Sequence, residues 1–100
     1  TWVANASAVA AINAKPVLAD VHPETPCMDP ESVRACIGPR TKAITVVHLY
    51  SAVADLDALA RIAREHGLAF IEDCAQVHGA SYRDRTVGTF GAMGTFSMQA

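Results

Sequence analysis

The chain has 100 residues, of which 51% are hydrophobic and 18% charged, with a formal net charge of −2. That is about one small domain with enough apolar surface for a core, and the absence of a basic stripe argues against a nucleic-acid groove or an anionic membrane as partner. No apolar stretch approaches the ~20 residues that cross a bilayer, no signal-like segment is visible, and three cysteines without C-x-x-C spacing specify neither a disulfide framework nor a zinc site. The expected compartment is the cytoplasm. Because Thr1 begins in mid-pattern and the sequence stops after an apolar run at Ala100, a piece of a longer chain is expected.

Asn5 to Asn13 is alanine-rich, with Val9 and Ile12 three apart, which predicts a helix with a close-packing face. Asn5 or Ser7 is its expected cap, and Ala14-Lys15-Pro16 its expected end. Pro16 to Val21 reads as a strand, followed by a proline-punctuated turn from His22 to Pro26. Asp29-Pro30-Glu31 places a cap, an N1 proline and an early acid in order, so a helix follows, with Val33, Cys36 and Ile37 on one face and Gly38-Pro39 as the stop. Cys27 and Cys36 are expected to be reduced and buried as small hydrophobes.

Lys42 to Tyr50 is the richest β-branched stretch and predicts a central strand, with His48 and Tyr50 at its carboxyl end. Asp55 caps the next helix, in which Leu56, Leu59, Ala60 and Ala63 form an apolar stripe and Arg61, Arg64 and Glu65 a solvated face. His66-Gly67 ends it with a terminal cation and a left-handed cap. Leu68 to Ile71 is then a short buried strand that ends in Glu72 and Asp73. Alternation sends these two acids in opposite directions, one toward solvent and the other, Asp73, into a crevice beside Gln76. The bland alternative is that Asp73 only caps the following turn. Cys74 lies nearby, but no partner base marks it as a nucleophile. Ala80 to Val87 reads as a hairpin turning at Arg83-Asp84-Arg85, and Gly88, Gly91 and Gly94 as a series of turns. The last run, Thr95 to Met98, is an expected strand that brings the Ser97 hydroxyl to the Asp73 crevice.

Strand and helix patterns alternate throughout, which predicts an α/β layer with a mostly parallel sheet and flanking helices, whose ligands bind at the carboxyl ends of the strands. Glu72-Asp73-Cys74-Ala75-Gln76-Val77-His78-Gly79, then Val87-Gly88-Thr89-Phe90-Gly91 and Phe96-Ser97, resemble the signature of the DegT/DnrJ sugar and aminocyclitol aminotransferases, which are fold-type I pyridoxal-phosphate (PLP) enzymes. The resemblance runs from Trp2 to about Met98. Ser51 departs from it, because a similar His-Leu-Tyr in the family usually continues with glycine.

The resemblance implies that residues 1–100 are part of the large, PLP-binding domain, truncated at both ends. It implies PLP as cofactor, with Asp73 pairing the pyridinium, Gln76 near the ring hydroxyl, Trp2 flat against the ring and Ser97 on the phosphate. A lone tryptophan is otherwise read as core. The lysine that forms the Schiff base is expected two residues beyond Ala100. Phe96-Ser97-Met98-Gln99 is most similar to the L-glutamine:scyllo-inosose aminotransferases of aminoglycoside pathways. The implied reaction passes an amino group from an amino acid, L-glutamine, to a keto-cyclitol or keto-sugar, and the full-length protein is expected to be a homodimer. Two other readings stand beside it: a PLP-dependent sugar dehydratase of the same family, with histidine in place of the lysine, and a non-catalytic α/β binding module.

Overall fold

A computed structural model describes residues 2–99. Helix α1 (Ala4–Ala11) is started by Val3 with no side-chain cap, so neither Asn5 nor Ser7 plays the expected part. Alanine propensity sustains it. Its end is also set locally rather than by Pro16: Asn13 takes a left-handed conformation (φ 60°), its N–H reaches Ala10 O (2.9 Å), and Ala14 N–H reaches Val9 O (3.2 Å). These two bonds satisfy the last carbonyls of the helix. None of the residues of α1 is fully buried, so the expected close-packing face is only partly covered among the described residues, with Asn5, Ala6 and Val9 half-buried.

Residues 16–21 do not form the expected strand. An extended segment becomes a strand only through a ladder partner, and here the sole pairing is an isolated bridge from Val21 to Met28. Leu18 remains 83% exposed. Helix α2 (Pro30–Cys36) begins as expected, with the Asp29 side chain accepting from Ser32 N–H. Helix α3 (Leu56–Glu65) is capped by Asp55, which accepts from Ala58 N–H, and closed at Gly67 (φ 63°) by Leu68 N–H to Ala63 O. Its buried face comprises Leu56, Leu59, Ala60, Ile62 and Ala63. Arg34 of α2 reaches Glu65 of α3 at 2.9 Å, an exposed pair that holds the Glu65 carboxyl below its usual range and contributes little to stability.

The sheet has three parallel strands, β1 (Ala43–Val47), β2 (Ala69–Asp73) and β5 (Met93–Thr95), in the order β1-β2-β5. β2, rather than the more β-branched β1, is therefore the middle strand among the described residues. Its pairing fixes the site: Val47 lies opposite Asp73 on one side and Thr95 on the other. Between β2 and β5 the chain makes the expected hairpin, β3 (Ser81–Tyr82) and β4 (Arg85–Thr86), which turns on Arg83 and Asp84, both left-handed (φ 47° and 62°). Arg85 falls within β4 instead of the turn. Positive φ at both central residues matches the right-handed twist of a hairpin. α2 packs on α3 and α3 on β2, so the core lies between the helices and one face of the sheet, with Ile44, Val46 and Phe70 on the sheet side. No helix among the described residues is long and apolar enough to cross a membrane.

Candidate functional site

β2 ends in two acids whose side chains take opposite faces, as a pleated strand requires. Asp73 is half-buried; its Oδ2 accepts from Asn5 Nδ2 (2.8 Å) and its Oδ1 from Ala75 N–H (3.1 Å). The second bond is the turn-capping role of the bland reading, and the first turns the remaining oxygen toward the start of α1. Trp2 lies three residues before Asn5, is 76% exposed and takes no part in the core. Gln76 Oε1 accepts from Tyr50 N–H (2.7 Å), which ties it to the turn after β1. In that turn Tyr50 and Ser51 both have positive φ (52° and 64°), while Ala52 N–H closes back on Leu49 O. Ser51 thus occupies the left-handed position that glycine takes most easily.

Ser97 lies outside β5. The strand ends at Thr95, two residues before it, and Thr95 rather than Ser97 is paired with Asp73. The half-buried Ser97 is placed by its carbonyl, which accepts from His78 Nε2 (2.7 Å), while its hydroxyl accepts from Gln99 N–H (3.3 Å). The structure therefore pairs Asp73 with Asn5 and Gln76 with the Tyr50 turn, and places Ser97 two residues beyond the end of β5.

Glu72 is the main correction. It does not face solvent but is fully buried, its Oε2 accepting from Gly88 N–H (2.7 Å) and its Oε1 from Phe90 and Gly91 N–H (2.6 and 3.0 Å). The glycines are accordingly more than turns. A Cβ on Gly91 would sit 2.1 Å from Phe70 O, and one on Gly94 2.4 Å from Gly88 O. The sequence signal for this was the three-residue spacing of Gly88, Gly91 and Gly94, although Glu72 lies 16 residues before the first of them.

His48, also fully buried, accepts from Ala54 N–H at Nδ1 (3.1 Å). Its Nε2 faces Glu72 Oε2 at 3.6 Å, beyond hydrogen-bond range, and has no other partner. Of the three unpaired cysteines, Cys27 and Cys74 are buried and Cys36 only partly so. Burial first, then Glu72 and Asp73, push the Cys74 thiol up to about 11. It stays protonated at neutral pH and is no nucleophile. His48, Glu72 and Cys74 offer ligand atoms within 4.8 Å of one another, but a metal needs the thiolate, and the Glu72 oxygens already accept three N–H groups.

Burial lowers the His48 imidazole below its ordinary value of 6.5, with Glu72 and Asp73 opposing. The unfolded chain then binds more protons than the folded one between the folded pKa and 6.5, so stability is complete above that window and is lost as pH falls through it. The melting temperature is expected to be lower at about pH 5.5 than at about pH 7.5, and His48→Asn, which retains an acceptor for Ala54, is expected to shrink that difference. An unchanged difference in the variant would refute the assignment.

Comparison with known proteins extends these observations. An L-glutamine:2-deoxy-scyllo-inosose aminotransferase of Micromonospora echinospora is 70% identical over 99 residues, covering 99% of this chain and 24% of that protein. The solved structure of an aminotransferase from Streptoalloteichus hindustanus superposes with a TM-score of 0.95 at 38% identity, over 100% of this chain and 27% of that one. A Bacillus subtilis protein solved with bound cofactor PMP superposes at 0.77 with 36% identity, over 81% and 19%. The chain spans about a quarter of the length of the curated relatives it matches. The model of the DegT/DnrJ/EryC1/StrS aminotransferase family matches residues 1–100, and with a parallel sheet that carries the Glu72-Asp73 pair at its carboxyl edge, the chain belongs to that family.

Proposed function

We propose that the intact protein is a PLP-dependent aminotransferase that transfers the amino group of L-glutamine to a keto-cyclitol in aminoglycoside biosynthesis, with residues 1–100 forming part of its large, cofactor-binding domain. The observation that carries this reading is Asp73: a carboxylate at the carboxyl end of a parallel strand, held only by neutral donors and without an ion-pair partner among the described residues. Two of its roughly four lone-pair sites are taken, which leaves capacity for a cationic N–H. That free acceptor capacity fits a protonated pyridine nitrogen. The substrate and donor rest on the 70% identical relative.

In this proposal Asp73 holds the ring nitrogen, and Asn5 and the Ala75 N–H orient Asp73. Gln76, steadied by Tyr50 N–H, meets the ring hydroxyl. Trp2 offers its exposed indole to the ring face, and Ser97 the phosphate end. When bound, PLP supplies an electron sink for bond breaking at the carbon that bears the amino group. The lysine expected two residues beyond Ala100, a homodimeric assembly and a cytoplasmic location belong to the same proposal.

The test is to express the full-length protein, supply PLP, L-glutamine and 2-deoxy-scyllo-inosose, and follow the amino-cyclitol product by mass. No product from any keto-cyclitol or keto-sugar would overturn the proposal. Trp2→Ala in that protein is expected to weaken PLP binding by several-fold to about tenfold, the scale of an aromatic stacking contact. Because Trp2 is exposed, the melting temperature should hardly move. A fall in melting temperature with unchanged PLP affinity would return Trp2 to a structural role.

A further inference from the structure

We infer that Glu72 is the positioning residue of the site: its buried carboxylate, by gripping the backbone N–H groups of Gly88, Phe90 and Gly91, fixes β5 and the Ser97 segment relative to Asp73. The inference rests on the reading that the Asp73 crevice receives PLP.

A buried carboxylate is tolerated only when its oxygens are satisfied, and here the three donors all come from one short loop. That loop has little freedom left. Gly88 takes a left-handed φ (93°) that strains any residue with a side chain, and Gly91 lies against the Phe70 carbonyl. Ala92 N–H then bonds that same carbonyl at 2.7 Å, and β5 starts at the next residue. At the far end of β5, Cys74 N–H bonds Thr95 O (2.8 Å), beside the Asp73–Thr95 pair. Phe96 then packs beside Gly88, and the Ser97 carbonyl is held by His78. Adjacent residues on opposite faces of β2 thus divide the work. Asp73 faces the crevice, and Glu72 aligns the segment that leads to Ser97. His48 lies beside this carboxylate without bonding it: its Nδ1 accepts from Ala54 N–H, and its Nε2 stands 3.6 Å from Glu72 Oε2.

Glu72→Gln keeps the shape but turns one acceptor into a donor, which then opposes a backbone N–H. In the full-length protein this is expected to raise the PLP dissociation constant about tenfold or more, measured well below the unfolding transition. A purely structural role would lower the melting temperature and leave that constant unmoved. The second measurement is made on the unsubstituted, cofactor-free protein, so it stands even where the variant does not fold. The Gly88, Phe90 and Gly91 amides are expected to exchange with solvent at least roughly a hundredfold more slowly than exposed amides. A folded variant with unchanged PLP affinity, or loop amides that exchange freely until PLP is added, would overturn the role of Glu72 alone. Failure of the unsubstituted protein to bind PLP would overturn the reading of the crevice, and this inference with it.

Discussion

Replacing Asp73 by asparagine in the intact protein is expected to lower transamination by several orders of magnitude while leaving the fold in place. Asparagine preserves the volume and retains an acceptor for either the Ala75 N–H or the Asn5 amide, so the half-buried site loses one charge-assisted bond, at a cost of ~1.5–3 kcal/mol. The chemical loss is larger. Removing a charge-assisted partner of the ring nitrogen costs ~1.5–3 kcal/mol as a bond, or about 10- to 150-fold. Beyond that, asparagine no longer favours the protonated ring that withdraws electrons from the reacting carbon, and this second effect carries the remainder. Steady-state turnover with L-glutamine, at PLP concentrations that saturate the variant, separates weakened binding from weakened chemistry. Turnover within about tenfold of the parent would remove Asp73 from the ring nitrogen and return it to its turn-capping bond alone.

What the sequence made legible was local. The caps at Asp29 and Asp55, the closure at Gly67 and the hairpin at Arg83-Asp84 were readable because one side chain or one positive φ determines each of them. The abrupt end of an apolar run in two acids located the carboxyl end of β2 for the same reason. Long-range partners were not readable. Val17 and Leu18 have strand composition, but composition does not supply a neighbouring strand, and the segment stays unpaired. Propensity likewise favoured β1 for the middle of the sheet, whereas the position of a strand depends on which others pair with it. Asn5 looked like a helix cap because asparagine usually is one; its bond to Asp73 spans 68 residues of sequence, which no local rule anticipates. Glu72 was the least legible of all. A carboxylate at the end of a strand is expected to face solvent unless specific donors await it, and those donors are main-chain groups of a loop in which Gly88 has a positive φ and Gly91 lies against the Phe70 carbonyl.

Those glycines make the second large effect a stability effect. Gly91→Ala is expected to destabilise the folded protein by about 3 kcal/mol or more, above the usual range for an added methyl group. The added Cβ would lie 2.1 Å from Phe70 O and 2.7 Å from Phe70 C, both backbone atoms of the middle strand, so no rotamer change relieves the contact. Moving the loop away instead would stretch the Gly91 bond to Glu72 Oε1 (3.0 Å) and the Ala92 bond to Phe70 O (2.7 Å), leaving buried polar groups unsatisfied. Against a total stability of about 5–15 kcal/mol for a typical domain, either outcome is severe. Gly38→Ala is the matched control, since nothing lies within 4 Å of its Cβ position and its φ is not positive, and it is expected to be neutral or slightly stabilising. Denaturant midpoints of the two variants in the intact protein decide the matter. Equal midpoints would mean that the 88–91 loop is free to move off the sheet and that Gly91 serves only as a turn residue.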